Sequence, residues 1–260
     1  MTISQFKSIC IFASPRSGSN LLVEQLSSGL TSKYNINAKA FYEYLSPHNY
    51  INEKFECVYI DREHVLPRPF RNGLDLYRLE KLKDFESLGV FPVFKLFPND
   101  HSVDNRLHIK KYILDDPTVF KICLNRKDII NQILSYCIGM STGVWHIKSN
   151  TVSIEDKIWR KYHVSDEMLH DIGSTIMLHQ LWHVEQAKQY CNRTVWYHEL
   201  TSANWPELEL TCEDLSYTKL IKSTHDHVDI GSKSILNFEE VYNYAKMINK
   251  NLTHIMAELQ

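Results

Sequence analysis

Ile9-Cys10-Ile11-Phe12-Ala13-Ser14-Pro15-Arg16-Ser17-Gly18-Ser19-Asn20-Leu21-Leu22 is the most informative stretch of the chain. An apolar run breaks into a short basic, hydroxyl-rich turn and then resumes with helical spacing. Such a run predicts a strand, and the turn lies where a helix opens. The N–H groups of a first helical turn have no intrahelical partners and carry partial positive charge, so phosphate or sulfate oxygens fit there. Gly18 lets the backbone approach a ligand closely. The spacing is not G-x-x-x-x-G-K-[ST], which argues against the usual nucleoside-triphosphate loop with its magnesium-binding hydroxyl after a lysine.

The arrangement recurs mid-chain. Thr118-Val119-Phe120-Lys121-Ile122-Cys123-Leu124 runs through Asn125-Arg126-Lys127-Asp128 into an apolar-periodic helix, with Ser135 nine positions after Arg126. A guanidinium suits a phosphate because its planar fork engages two oxygens and stays charged at any working pH. Strands are predicted at 8–13, 36–41, 90–96, 118–124 and 194–197. Helices are predicted at 21–30, within 74–88, and at 101–114, 127–140, 165–190 and 238–249. This alternation predicts an α/β, P-loop-like three-layer fold, a central parallel sheet flanked by helices, with ligands at the carboxyl ends of the strands where both basic turns fall. One domain over 1–260 is expected, with irregular segments at 46–72 and 139–162 serving as acceptor-site loops.

A chain of 260 residues, 43% hydrophobic, can bury a large core. Its formal net charge of −2 supplies no global basic field, which disfavours nucleic acid and points Arg16 and Arg126 toward a small polyanion. There is no apolar run of eighteen residues to span a bilayer, and the amino-terminal stretch has no signal-like apolar region, so a cytoplasmic location is expected. The six cysteines form no C-x-x-C pair and are expected to be reduced.

Taken together, the two turns resemble sulfotransferases that use 3′-phosphoadenosine 5′-phosphosulfate (PAPS), most nearly the bacterial trehalose-sulfotransferase-like branch. Ser14-Pro15-Arg16-Ser17-Gly18-Ser19 followed by Leu21-Leu22 is similar to that branch's 5′-phosphosulfate loop, and Arg126 with Ser135 is similar to its 3′-phosphate site. Gly89 to Leu96, Val195 to Leu200 and Ile235 to Val241 are softer matches. The resemblance implies PAPS as co-substrate, with no metal. Arg16, Ser17, Gly18, Ser19, Asn20, Arg126 and Ser135 would bind it, and Arg16 would stabilise the oxygen from which the sulfuryl group departs. The acceptor it implies is a hydroxyl on a small, carbohydrate-like molecule.

An alcohol acceptor needs a base, and the branch carries a glutamate just before an aromatic pair after its second strand. That position is Ala40 here, which cannot move a proton. Glu43 is the candidate in its place, with His48 and His64 behind it. His179 and His183, at i and i+4, could face a metal together, but Gln180 stands where the zinc-protease pattern has glutamate, and a chance pair is the simpler reading. Lys222 and Ser223 lie where sulfotransferases return to the cofactor's phosphates. Two other readings remain open: another P-loop transferase, such as a small-molecule kinase, and a non-catalytic nucleotide-binding relative that lost its base at Ala40.

Overall fold

The computed structural model of the protein describes residues 3–46, 49–52, 54–55, 57–59, 68–97, 107–142, 161–200, 202, 204–215 and 227–258. The strands among them are β1 (Ser8–Ala13), β2 (Ala38–Glu43), β3 (Asn49–Ile51), β4 (Cys57–Tyr59), β5 (Phe91–Leu96), β6 (Val119–Asn125) and β7 (Arg193–Trp196). The helices are α1 (Ser19–Tyr34), α2 (Arg68–Ser87), α3 (Ile129–Thr142), α4 (Asp166–Tyr190), α5 (His227–Ser234) and α6 (Phe238–Glu258).

β1 is buried at all its positions, which is why its sequence is apolar without alternation. Ile9, Ile11 and Ala13 share a core with Leu22, Leu26 and Leu30 of α1, whereas Cys10 and Phe12 join a second core with Leu79 and Phe85 of α2. β5 and β6 flank β1 as parallel neighbours and are buried just as completely. With β2 and β7 on the outside, the all-parallel sheet runs β2-β5-β1-β6-β7. A third core joins α3, α4 and α6 through Ile133, Ile172, Ile176, Val241 and Ile248. The result is the expected α/β architecture of three layers around a parallel sheet.

Several boundaries differ from the sequence reading for identifiable reasons. α1 runs past Leu30 because its stop is Asn35, left-handed at φ 54°, whose N–H bonds the Thr31 carbonyl at 3.1 Å. α4 begins as expected, capped by Ser165, whose side chain accepts from the Met168 N–H at 3.2 Å. α6 extends to Glu258 because Leu252 keeps its buried face going. Within 46–72, read as irregular, β3 and β4 pair antiparallel and α2 begins at Arg68. Of the helix expected at 101–114, the described part carries a π-helical turn at Lys110–Leu114. Residues 143–160 of the second expected loop lie outside the described residues, as do His48, His64, Lys222 and Ser223.

Phe120 on β6 is fully buried and meets Phe6 edge-on, with centroids 4.9 Å apart. Phe120→Ala is expected to lower the unfolding free energy by about 3–5 kcal/mol in urea titration, the usual cost of an aromatic-sized void; a loss below about 1 kcal/mol would contradict this packing.

Candidate functional site

At the carboxyl end of β1 the chain turns through Ser14 to Gly18 before α1 opens. The Ser17 N–H bonds the Ser14 carbonyl at 3.3 Å, and the Leu22 N–H closes the first helical turn on the Gly18 carbonyl at 3.2 Å. Arg16 and Gly18 are left-handed, at φ 62° and 85°. Glycine adopts this conformation freely, but arginine does so only where its surroundings impose it. Gly18 occupies the N-cap position without a side-chain cap, so the opening amides of α1 are not covered by a cap side chain. Ser17 is fully buried, and its Oγ has no hydrogen-bond partner among the described residues.

Because β6 pairs with β1 out to Ala13 and Leu124, the turn after β6 lies beside this loop. Arg126 Nη1 donates to the Arg16 carbonyl at 2.8 Å, and Arg16 Nε donates to the Ser135 hydroxyl at 2.8 Å. Gln132, one helical turn before Ser135 on α3, donates through Nε2 to the Ser14 hydroxyl and the Pro15 carbonyl at 2.5 and 2.6 Å. The sequence reading placed Ser135 with Arg126. The structure brings all three residues together, with the Ser135 hydroxyl bonded to Arg16.

Burial is the chief cause that lowers the Arg16 guanidinium to about 10, and the neighbouring Arg126 charge adds to it. Arg126 is lowered by burial, partly offset by Tyr197 and Asp128. A guanidinium stays charged at any working pH, so two cations stand side by side here. The half-exposed Asp128 carboxylate lies with Oδ2 4.0 Å from Arg126 Nη2, and the buried described residues include no aspartate or glutamate. Such an arrangement raises the local potential and favours an anion.

Sequence reasoning did not assign Tyr197 to the site. It follows β7, whose Trp196 is the register partner of Asn125, so residues 126 and 197 leave adjacent strand ends. The Arg126 guanidinium lies 4.6 Å from the Tyr197 ring centroid, and Lys127 Nζ lies 4.9 Å from that of Trp196. The signal in the sequence was an aromatic pair closing a predicted strand.

On the other side of β1 the rim carries Glu43. Its Oε1 lies 2.9 Å from Lys95 Nζ; the lysine side chain is 5% exposed and the carboxylate side chain 39%. Ala40 pairs with Val93 and Glu43 with Lys95, and the register shifts between Ala40 and Tyr42, where Tyr42 is left-handed at φ 45°. Val93 and Lys95 are two residues apart on β5, so they share a face. The bulge absorbs the odd residue and returns Glu43 to the face of Ala40. Ala40 itself packs against the core under α1.

His179 and His183 both face inward on α4. His179 stacks on Phe97 with centroids 5.9 Å apart, and His183 meets Trp182 at 5.7 Å. Among the described residues no group of three His, Cys, Asp or Glu could hold a metal ion. Burial first, and His179 second, lower His183 to about 3. The folded protein thus binds its proton more weakly than the unfolded chain, whose value is near 6.5. Stability from this group is intact above about pH 6.5 and is lost as pH falls toward 3, at up to roughly 1.4 kcal/mol per pH unit. Chemical denaturation across pH 4–7 is expected to show that slope reduced in His183→Phe; an identical slope in both proteins would contradict the assignment.

The family model described as Stf0 sulphotransferase matches residues 8–166, a span that holds both basic turns and Glu43, and the chain belongs to that family. A comparison with curated proteins finds no match. No helix among the described residues is long and apolar enough to cross a membrane.

Proposed function

We propose that this Stf0 sulphotransferase, a transferase by family, moves a sulfuryl group from PAPS to a hydroxyl of a small, carbohydrate-like acceptor. The observation that supports the reading is the pair of guanidiniums, a partly buried Arg16 and a buried Arg126, joined through the Arg16 carbonyl at the ends of two neighbouring strands. The residues fit a doubly phosphorylated nucleotide: two cations, an unpartnered buried hydroxyl at Ser17 and a side-chain-free N-cap at Gly18.

Ser17, Gly18, Ser19 and Asn20 offer amides and hydroxyls to the 5′ side, while Arg126 and Ser135 hold the 3′-phosphate. Arg16 stabilises charge on the oxygen left behind, which is fixed positive charge placed where charge develops. When bound, PAPS supplies a sulfuryl group attached to a phosphate that is already a good leaving group, so positioning and electrostatics carry the rate, by analogy with phosphoryl transfer. Glu43 stands on the same rim, two strand spacings or roughly 10 Å from β1, and takes the proton of the acceptor hydroxyl. Lys95 holds that carboxylate in place.

Titration calorimetry with the product nucleotide, 3′-phosphoadenosine 5′-phosphate, is the direct test. Binding is expected, and Arg126→Ala is expected to weaken it by about 1.5–3 kcal/mol, the scale of hydrogen bonds to a charged group. No heat with this nucleotide alongside binding of ATP would favour a kinase instead. Glu43→Gln is expected to cut turnover of labelled PAPS over a panel of sugars by roughly 10²–10⁴-fold without changing nucleotide affinity. Undiminished turnover would remove Glu43 from the role. Tight nucleotide binding with no transfer by the wild type would leave a binding protein.

A further inference from the structure

We propose that Tyr197 is a positioning residue for Arg126. Its ring, set between Gly18 and the guanidinium, holds the cation where it tells a 3′-phosphorylated nucleotide from one lacking that phosphate, an inference that rests on the reading of the site just given.

Arg126 must be fixed without being neutralised. A carboxylate bonded to its fork would fix it well, but would occupy the same in-plane N–H groups that a phosphate needs. An aromatic ring holds the guanidinium by its flat face and leaves the edge free. Here the guanidinium carbon lies 4.6 Å from the Tyr197 centroid, Nη1 is committed to the Arg16 carbonyl, Nη2 lies 4.0 Å from the half-exposed Asp128 carboxylate, beyond hydrogen-bond distance, and Nε is buried with no partner among the described residues.

The ring is itself braced. A Cβ placed on Gly18 would come within 2.5 Å of both Cδ2 and Cε2 of Tyr197 and within 3.2 Å of Leu200 Cδ1, so the ring rests directly on the loop backbone. Tyr197 opens a 3₁₀ turn, Tyr197–Glu199, closed by the Trp196 N–H donating to Glu199 Oε2 at 2.9 Å. Gln25 of α1 donates to the Leu200 carbonyl at 3.4 Å. The aromatic plate therefore moves with the loop and α1, and through it Arg126 is registered to the same frame as Arg16.

The test compares affinities for 3′-phosphoadenosine 5′-phosphate and for adenosine 5′-phosphate, measured by calorimetry in wild type, Tyr197→Phe and Tyr197→Leu. The wild type is expected to prefer the 3′-phosphorylated nucleotide. Tyr197→Leu is expected to narrow that preference roughly 3- to 30-fold, the range of a partly to fully buried cation–ring contact, chiefly through the 3′-phosphorylated ligand. Tyr197→Phe, which keeps the ring, is expected to retain it. Equal losses for both nucleotides, or none, would mean that the ring only packs, and would overturn the proposal while leaving the function standing. Wild-type indifference to the 3′-phosphate would overturn both. Should Tyr197→Leu not fold, Tyr197→Met, which also lacks the ring, carries the same comparison.

Discussion

One hydrogen bond, from Arg126 Nη1 to the carbonyl of Arg16, joins the two halves of the site. It ties the turn after β6 to the turn after β1 and brings two guanidiniums together in a largely buried place, where their charges repel. Burying a cation costs several kcal/mol unless its donors find acceptors. Here the acceptors are the loop carbonyl and the Ser135 hydroxyl, with the Tyr197 ring centroid 4.6 Å from the Arg126 guanidinium. These groups satisfy some of the donors but supply no opposite formal charge. Folding therefore builds a positive potential that the proposed polyanion would relieve, and stability should then rise with its concentration, since a ligand of the native state draws the equilibrium toward it.

The sheet makes such an arrangement affordable in space. β1 and β6 are buried on both faces, so their direction and spacing are fixed by close packing, and the turns at their ends inherit that precision. Of the left-handed residues, Arg16 and Gly18 lie in the turn after β1 and Tyr42 lies near the end of β2, all at the carboxyl edge of the sheet. Strained conformations persist only where the surroundings determine them. Gln132 and Arg126 supply that constraint for the loop by binding the carbonyls of Pro15 and Arg16.

The parts of this design that are local in the sequence were legible. β1, its turn and α1 could be read because an apolar run, a basic turn and a helical period follow one another without interruption, and β6 with Arg126 repeats the pattern. Ser135 was singled out by its resemblance to the family's 3′-phosphate serine, but its bond to Arg16 depends on strand order. Tyr197 stayed hidden because its nearness to Arg126 comes from the register of β6 with β7, across roughly seventy residues of chain. The pairing of β3 with β4 and the helix α5 were missed because their segments are short, three residues in each strand and eight in the helix, with little periodicity to detect.

The bulge in β2 bears on how a base could move along a strand. Positions 40 and 43 are separated by an odd number, so in a regular strand their side chains would face opposite sides of the sheet, and an acid lost at one could not be replaced from the other. The extra residue at Phe41 and Tyr42 changes that parity: Phe41 enters the core on the α2 face, Tyr42 reaches Glu24 on α1, and Glu43 comes back to the face of Ala40 beside Lys95. Along β5 this corresponds to one step of two residues, from Val93 to Lys95, or roughly 7 Å toward the carboxyl edge. On the function proposed above, a base displaced by that distance would serve an acceptor hydroxyl seated higher on the rim than one matched to a carboxylate at position 40.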